Sequence, residues 1–137
     1  MKKLIVMMMG AMAFASCGTG QKAAPLTSLE GEWVIVEVAE KPVSAENVPF
    51  LGFKVADKEL YGNAGCNSLM GVLEGDEAQP GVLSFGTLGS TKRMCADMAA
   101  EDAILQALGQ VKGYELKDGH LLLTDEAGKE LMELTKR

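Results

Sequence analysis

The chain has 137 residues, 47% of them hydrophobic, and a formal net charge of −6. This length fits a single domain that is large enough to bury a core. Because an acidic protein repels polyanions, we expect neither nucleic acid nor an anionic membrane surface as its partner.

The first sixteen residues have the layout of a bacterial secretory signal. Two lysines precede an apolar run over residues 4–15. This run is shorter than the roughly 20 residues that a membrane-spanning helix needs. Small residues then precede Cys17, as in a lipobox, where the cysteine becomes lipidated. We therefore predict a signal peptide over residues 1–16, lipid on Cys17 followed by a flexible tether to residue 27, and a folded domain over residues 28–137. The expected location is the outer membrane, on its periplasmic face, with palmitate-type acyl chains as the link to the membrane.

The folded region consists of many short strand patterns and one helical pattern. The spacing of Ile104, Leu108 and Val111 predicts a helix with one apolar stripe. In chain order, the predicted elements are strands over 33–38, 50–55 with a bulge at Gly52, 69–73 and 82–85, a helix over 98–110 capped by Asp97, and hairpin strands over 113–116, 120–124 and 131–134. The predicted fold is α+β, a strongly curled antiparallel sheet or partly open barrel packed with one main helix. We expect a monomer.

Cys66 lies in the most glycine-rich part of the chain, between Gly62 and Gly71. Glycine and asparagine accept left-handed backbone conformations, which suits a tight loop. With Cys17 lipidated, Cys66 and Cys95 remain as an even pair outside the cytoplasm, where thiols oxidise. We predict a disulfide between them, which closes a loop of about 30 residues and stabilises the fold by about 3–4 kcal/mol. Two buried free thiols and a catalytic dithiol stay open as alternatives.

A Gly-x-Trp strand, a Gly-Cys-Asn loop and a Thr-x-x-x-Cys segment precede the helix and the terminal hairpins. The matching segments are 31–33, 65–68 with Gly71, and 91–96. In this order of motifs the chain resembles the META domain, also called the HslJ-like domain, of bacterial envelope lipoproteins over residues 29–135. The resemblance implies a small β-rich fold, an envelope location, an association with heat shock and envelope stress, and no enzymatic activity. The family usually has Thr-Arg-Met before the second cysteine, whereas Lys92 and Arg93 stand at the arginine and methionine positions here.

Residue types that could carry catalysis lack a motif. A zinc site or a serine triad would each need His120, which is the single histidine. The serines available to such a triad, Ser68 and Ser90, have no surrounding motif. Paired carboxylates at 76–77, 101–102 and 125–126 lie in predicted turns or at a helix start, where carboxylates are solvated, so they do not indicate a glycosidase. We predict no catalytic residue, no metal site and no cofactor.

Lys92 and Arg93 form a local basic patch beside Cys95 in an acidic domain. Together with Asn67 they form the predicted interaction surface, which would receive a small anionic ligand or a carboxylate of an unknown envelope protein. Pairing of the two cations with Asp97 or with loop carbonyls is the structural alternative. The predicted function is a non-enzymatic binding or stress-support role in the envelope. Two other functions stay open: an inhibitor of an envelope-attacking enzyme such as lysozyme, and a carrier of a small ligand or of Cu(I) held by cysteine and methionine sulfur.

Overall fold

A computed structural model describes residues 23–45 and 47–137 of the chain. The predicted signal peptide and Cys17 lie outside these residues. In chain order the elements are a 3-10 helix at Leu26–Leu29, β1 (Gly31–Val38), β2 (Lys41–Pro42), β3 (Phe50–Lys54), β4 (Glu59–Asn63), β5 (Ser68–Glu74), β6 (Ser84–Ser90), α1 (Ala99–Leu108), β7 (Gly113–Lys117), β8 (His120–Thr124) and β9 (Glu130–Lys136). Within the described residues, no helix is both long and apolar enough to cross a membrane.

The strands form one antiparallel sheet in the order β6-β5-β4-β3-β1-β9-β8-β7, and the short β2 pairs with β1 outside this path. The two edge strands approach each other through a single bridge between Val82 and Gly113. The sheet is therefore a strongly curled, partly open barrel. This confirms the predicted α+β fold class, with one helix beside a mostly antiparallel sheet.

The core lies inside the curled sheet and under α1. Alternate residues of the strands point inward, as period-two alternation requires, and α1 adds Ile104 and Leu108 from its apolar stripe. The fully buried side chains include Leu51, Phe53 and Leu121. Burial of each such side chain contributes about 2 kcal/mol, so the core supplies most of the driving force for this fold.

The 3-10 helix packs its two leucines, Leu26 and Leu29, into the core. The indole Nε1–H of Trp33 donates a hydrogen bond of 2.9 Å to the carbonyl oxygen of Leu29. The hydroxyl of Tyr114 donates one of 2.6 Å to the carbonyl oxygen of Ala24. Residues 24–27, which composition assigns to the tether, are therefore part of the folded domain.

Most predicted elements are present, with shifted ends. The helix begins at Ala99, and the Asp97 carboxylate accepts a hydrogen bond of 2.9 Å from the Ala99 N–H. The strand predicted over 82–85 is instead β6, which continues to Ser90 through two glycines that weaken a strand signal. The Asp118-Gly119 turn between β7 and β8 has φ values of 53° and 80°, as a type I′ hairpin requires, so that hairpin prediction is confirmed.

The bulge predicted at Gly52 is wrong, because the pairing of β3 with β1 and β4 runs through Gly52 without a register shift. The glycine serves another purpose. A Cβ atom at position 52 would lie 2.1 Å from Cζ of Tyr61, its partner on β4. Gly52 therefore leaves room for the Tyr61 ring to lie across the outer face of the sheet.

Candidate functional site

The glycine-rich segment forms the connection between β4 and β5. The side-chain oxygen of Asn63 accepts a hydrogen bond of 2.7 Å from the Gly65 N–H, and the Ala64 N–H donates to the carbonyl oxygen of Asn67 at 3.0 Å. Gly65 has φ of 108°, a conformation that other residues rarely adopt. The chain therefore turns tightly here and brings residues 66 and 67 toward the segment that follows β6.

A disulfide joins Cys66 to Cys95, with 6.1 Å between the Cα atoms. The predicted pairing is thereby confirmed. The bond links the β4–β5 connection to the segment between β6 and α1, at the point where the sheet meets the helix. In this oxidised state, neither sulfur atom is a thiolate ligand for Cu(I).

Asn67 and Glu101 form a buried polar pair beside the disulfide. Each residue is only 3% exposed. One carboxylate oxygen of Glu101 accepts the backbone N–H of Asn67 at 2.6 Å, and the other accepts the Asn67 side-chain N–H at 2.6 Å. Glu101 lies in the first turn of α1, where the helix dipole stabilises a carboxylate. The pair therefore ties the helix start to the glycine-rich loop.

The rest of the Asn67 amide holds residues 91–94, which we call the basic loop. Its oxygen accepts the Arg93 backbone N–H at 2.6 Å and the Thr91 hydroxyl at 2.8 Å. Its nitrogen donates a second hydrogen bond, to the Arg93 carbonyl oxygen at 2.9 Å. The Thr91 hydroxyl oxygen in turn accepts the Ser68 N–H at 3.1 Å. All four hydrogen-bonding positions of the amide are filled, so it fixes the backbone of this loop.

Beyond Thr91, the side chains of the basic loop point away from this network. Lys92 and Arg93 are exposed, and Met94 is 87% exposed. Of the ion pairs formed by residues 23–45 and 47–137, none includes Lys92 or Arg93. The loop therefore has a fixed backbone and free cationic side chains.

The structure corrects the predicted interaction surface in one respect. Asn67 does not lie on that surface, because its side chain is buried and fully occupied by hydrogen bonds. Its contribution is to position Arg93, whose side chain is exposed as predicted. The role of Lys92 and Arg93 in binding stays a prediction.

Glu101 is the residue that the sequence interpretation missed. As half of the Glu101-Asp102 pair it was expected to be solvated at the helix start. It stands three residues before Ile104 and seven before Leu108, which places it on the buried stripe of α1. The spacing of Glu101 from Ile104 and Leu108 therefore indicates, from the sequence alone, that Glu101 is buried.

The META domain family matches residues 24–137 of the chain. The chain belongs to the META domain family. Its Gly-Cys-Asn and Thr-x-x-x-Cys motifs meet in space, through the disulfide and through the hydrogen bond between Thr91 and Asn67. In this META domain the two motifs therefore build one structural unit.

Solved structures of other proteins share the fold. An NMR structure of one protein aligns with a TM-score of 0.59 at 23% identity, over 78% of this chain and 89% of the other. An NMR structure of a protein from Burkholderia xenovorans gives 0.59 at 22% identity, over 81% and 85% of the two chains. The crystal structure of a duf4847 family protein from Bacteroides vulgatus gives 0.56 at 16% identity, over 80% and 94%. No curated protein matches the chain.

A second group of charges lies on the outer face of β1, β8 and β9. The carboxylates of Glu37, Glu130 and Glu133 lie within 4.8 Å of one another, and His120 Nδ1 is 2.6 Å from Glu133 Oε1. Burial raises the pKa of Glu130 above its ordinary value, and the negative charges of Glu133, Glu37 and Glu40 raise it further. The charged form of Glu130 is therefore disfavoured in the folded domain.

Proposed function

We propose that this META-domain protein is a lipid-anchored, non-enzymatic binding protein of the bacterial envelope, with the basic loop as its contact surface. The observation that carries the proposal is the contrast within this loop. Its backbone is held by a disulfide and a buried Asn67–Glu101 pair, while its cations have no partner in the described part of the chain. The proposed ligand is a carboxylate or another anionic group.

A fixed backbone favours binding because less conformational entropy is lost when the partner arrives. Ordering the backbone costs about 1–2 kcal/mol per residue, so a four-residue loop that is already ordered avoids up to roughly 4–8 kcal/mol. The Arg93 guanidinium can form two parallel hydrogen bonds to a carboxylate, and Lys92 adds a second positive charge beside it.

The acidic character of the whole chain makes such binding local. The net charge of −6 repels an acidic partner at long range. At physiological ionic strength that repulsion is screened beyond about 8 Å. An anionic group that reaches the basic loop therefore interacts mainly with Lys92 and Arg93. We expect specific binding with a slow association rate, because no long-range electrostatic attraction guides the partner to the loop.

Affinity capture from envelope extracts tests this proposal. The immobilised mature protein is compared with the variant Lys92→Ala/Arg93→Ala and with the control Lys112→Ala/Lys129→Ala, which removes two exposed cations elsewhere. We expect the control to retain the partners of the wild type and the loop variant to weaken their binding roughly tenfold or more. Equal capture by all three proteins would refute the basic loop as the contact surface.

Lipid attachment is tested separately. Cells that produce the protein are grown with radioactive palmitate, and the wild type is compared with Cys17→Ser. The proposal requires label in the wild type and none in the variant. Equal labelling of both proteins would show that Cys17 is not the lipidated residue.

A further inference from the structure

The first described residue and the basic loop lie at opposite ends of β6. Ala23 packs against Gly81, just before β6, where a Cβ atom on Gly81 would come within 2.9 Å of the Ala23 Cβ. The basic loop starts directly after Ser90, the last residue of β6. Six residue steps separate Ser84 from Ser90, and at about 3.3 Å per step they span roughly 20 Å.

The proposed anchor restricts where the membrane can be. Only six residue steps join Cys17 to Ala23, and a fully extended chain covers at most about 3.6 Å per step. The lipid therefore keeps the Ala23 end of the domain within roughly 20 Å of the membrane. When the Ala23 end lies against that membrane, the basic loop at the other end of β6 is roughly 20 Å farther along the strand.

Electrostatics opposes the reverse orientation. Tilting the domain until the basic loop touches anionic headgroups would bring the acidic exterior to the same surface, because residues 17–137 carry 19 acidic and 11 basic residues once Lys2 and Lys3 are removed with the signal peptide. The loop contributes two of those basic residues. Attraction by two cations competes with repulsion by the rest of the surface, so the anchoring membrane is a poor source of the anion.

Exposed methionines lie next to the cations. Met94 belongs to the basic loop, and Met70 on the outer face of β5 is 60% exposed. Met70 lies near the basic loop in space. Ser68 is two residues before Met70 on the same face of β5, and its backbone groups form hydrogen bonds with Thr91. Methionine and arginine are enriched at protein–protein interfaces, where flexible sulfur-containing side chains adapt to apolar partners.

We infer that the partner is a protein in the compartment that the anchored domain faces, and that it presents acidic side chains flanked by apolar ones. This inference rests on the proposed function of the basic loop and on lipid attachment at Cys17. Lipid headgroups of the anchoring membrane are the competing source of the anion, and the experiment separates the two.

The test is zero-length cross-linking of the lipidated protein in intact envelopes. A carbodiimide activates a carboxyl group of the partner, and the Lys92 amine displaces the resulting urea, which leaves an amide bond between the two proteins. We expect mass spectrometry to find Lys92 joined to an aspartate or glutamate of another protein. Lys92→Arg keeps the charge but cannot form this amide, so it should lose the cross-link and still capture the partner, whereas Lys112→Arg should keep both.

A vesicle arm identifies the alternative source. The lipidated protein is reconstituted in phosphatidylcholine vesicles and mixed with vesicles that contain phosphatidylglycerol, and bridging is measured by light scattering. We expect no bridging. Bridging that Lys92→Ala/Arg93→Ala abolishes, without any Lys92 cross-link to protein, would overturn the protein partner and leave the basic loop as the binding surface. Unchanged capture by the loop variant, together with no Lys92 cross-link and no bridging by the wild type, would refute the proposed function itself.

Discussion

Glu101→Gln tests whether Glu101 is a buried hydrogen-bond acceptor that supports the fold or a solvated carboxylate at the helix start. Both carboxylate oxygens of Glu101 accept N–H groups of Asn67. The backbone donor cannot turn, and the side-chain donor is fixed because the Asn67 oxygen accepts Arg93 N–H and the Thr91 hydroxyl. Glutamine has nearly the same shape but supplies one oxygen and one NH2 group, so one donor of Asn67 would face another donor.

The cost follows from the hydrogen bonds that change. A hydrogen bond to a charged group contributes about 1.5–3 kcal/mol, and a buried donor without an acceptor costs about 1–3 kcal/mol. Relief from burying a charge offsets part of this loss. We expect Glu101→Gln to lower the free energy of unfolding by about 3 kcal/mol, a large part of the 5–15 kcal/mol typical of a domain.

Urea unfolding of the oxidised protein measures this effect. Trp33 is the single tryptophan and is buried, so its fluorescence reports on the core. With a urea dependence of about 1.5 kcal/mol per molar, the expected midpoint shift is about 2 M. The matched control is Asp102→Asn, which removes the same charge from the exposed side of the same helical turn and should cost less than about 1 kcal/mol. Equal effects of the two substitutions, or a loss below about 1 kcal/mol for Glu101→Gln, would refute the buried pair as a structural support.

Three further substitutions test other parts of the fold. Gly52→Ala should lower the free energy of unfolding by about 1–3 kcal/mol in urea titrations, because the new Cβ would clash with the Tyr61 ring. Cys66→Ala/Cys95→Ala should lower it by about 2–4 kcal/mol, since a bond across 29 residues of separation no longer restricts the unfolded chain. Glu130→Gln should raise it by at most about 0.5 kcal/mol at pH 7, because a neutral side chain relieves the partial burial of a charge and the repulsion by Glu133 and Glu37, both of which solvent screens. The pKa of Glu130 is higher in the folded state than in the unfolded state, so its destabilising effect is present above the folded pKa and fades as pH falls toward the ordinary value of 4.5.

Each of these three has its own control or contrary result. Gly109→Ala makes the same chemical change at a helix end with φ of −67°, where the new Cβ would be 3.6 Å from its nearest neighbour, the Gln106 carbonyl oxygen, which is an ordinary van der Waals contact, so it should be neutral or slightly stabilising. For the cysteines, reduced wild type should match the double variant in stability, and a fully stable reduced protein would contradict the prediction. A gain from Glu130→Gln that stays constant between pH 7 and pH 4 would show that charge repulsion is not its cause.

Most elements of the fold were predictable from short-range sequence patterns. The Asp118-Gly119 turn and the apolar stripe of α1 are short-range patterns, and both elements formed where these patterns occur. The length of β6 was less accessible because Gly86 and Gly89 weaken a strand signal, and the strand is stabilised by its pairing with β5. The need for glycine at position 52 likewise depends on a neighbour, the Tyr61 ring, that local spacing does not reveal.

The site was less predictable than the fold because its decisive contacts join distant residues. Asn67 and Glu101 are 34 residues apart, and nothing in the glycine-rich segment indicates which acidic side chain it will meet. The cysteine pair was predictable from the expected export of the chain, because two thiols outside the cytoplasm usually oxidise to a disulfide. The sequence analysis includes Asn67 in the interaction surface, whereas in the structure its amide is buried and holds the backbone of the basic loop.

Backbone order in the basic loop is the central claim, and 15N relaxation of the oxidised protein measures it directly. The Arg93 N–H and its neighbours in residues 91–94 are held by Asn67 and by the disulfide. We predict order parameters near 0.85 across this loop, equal to those of β5 and β6. Values below about 0.6 for Thr91 and Arg93 would show a mobile loop and would contradict the account.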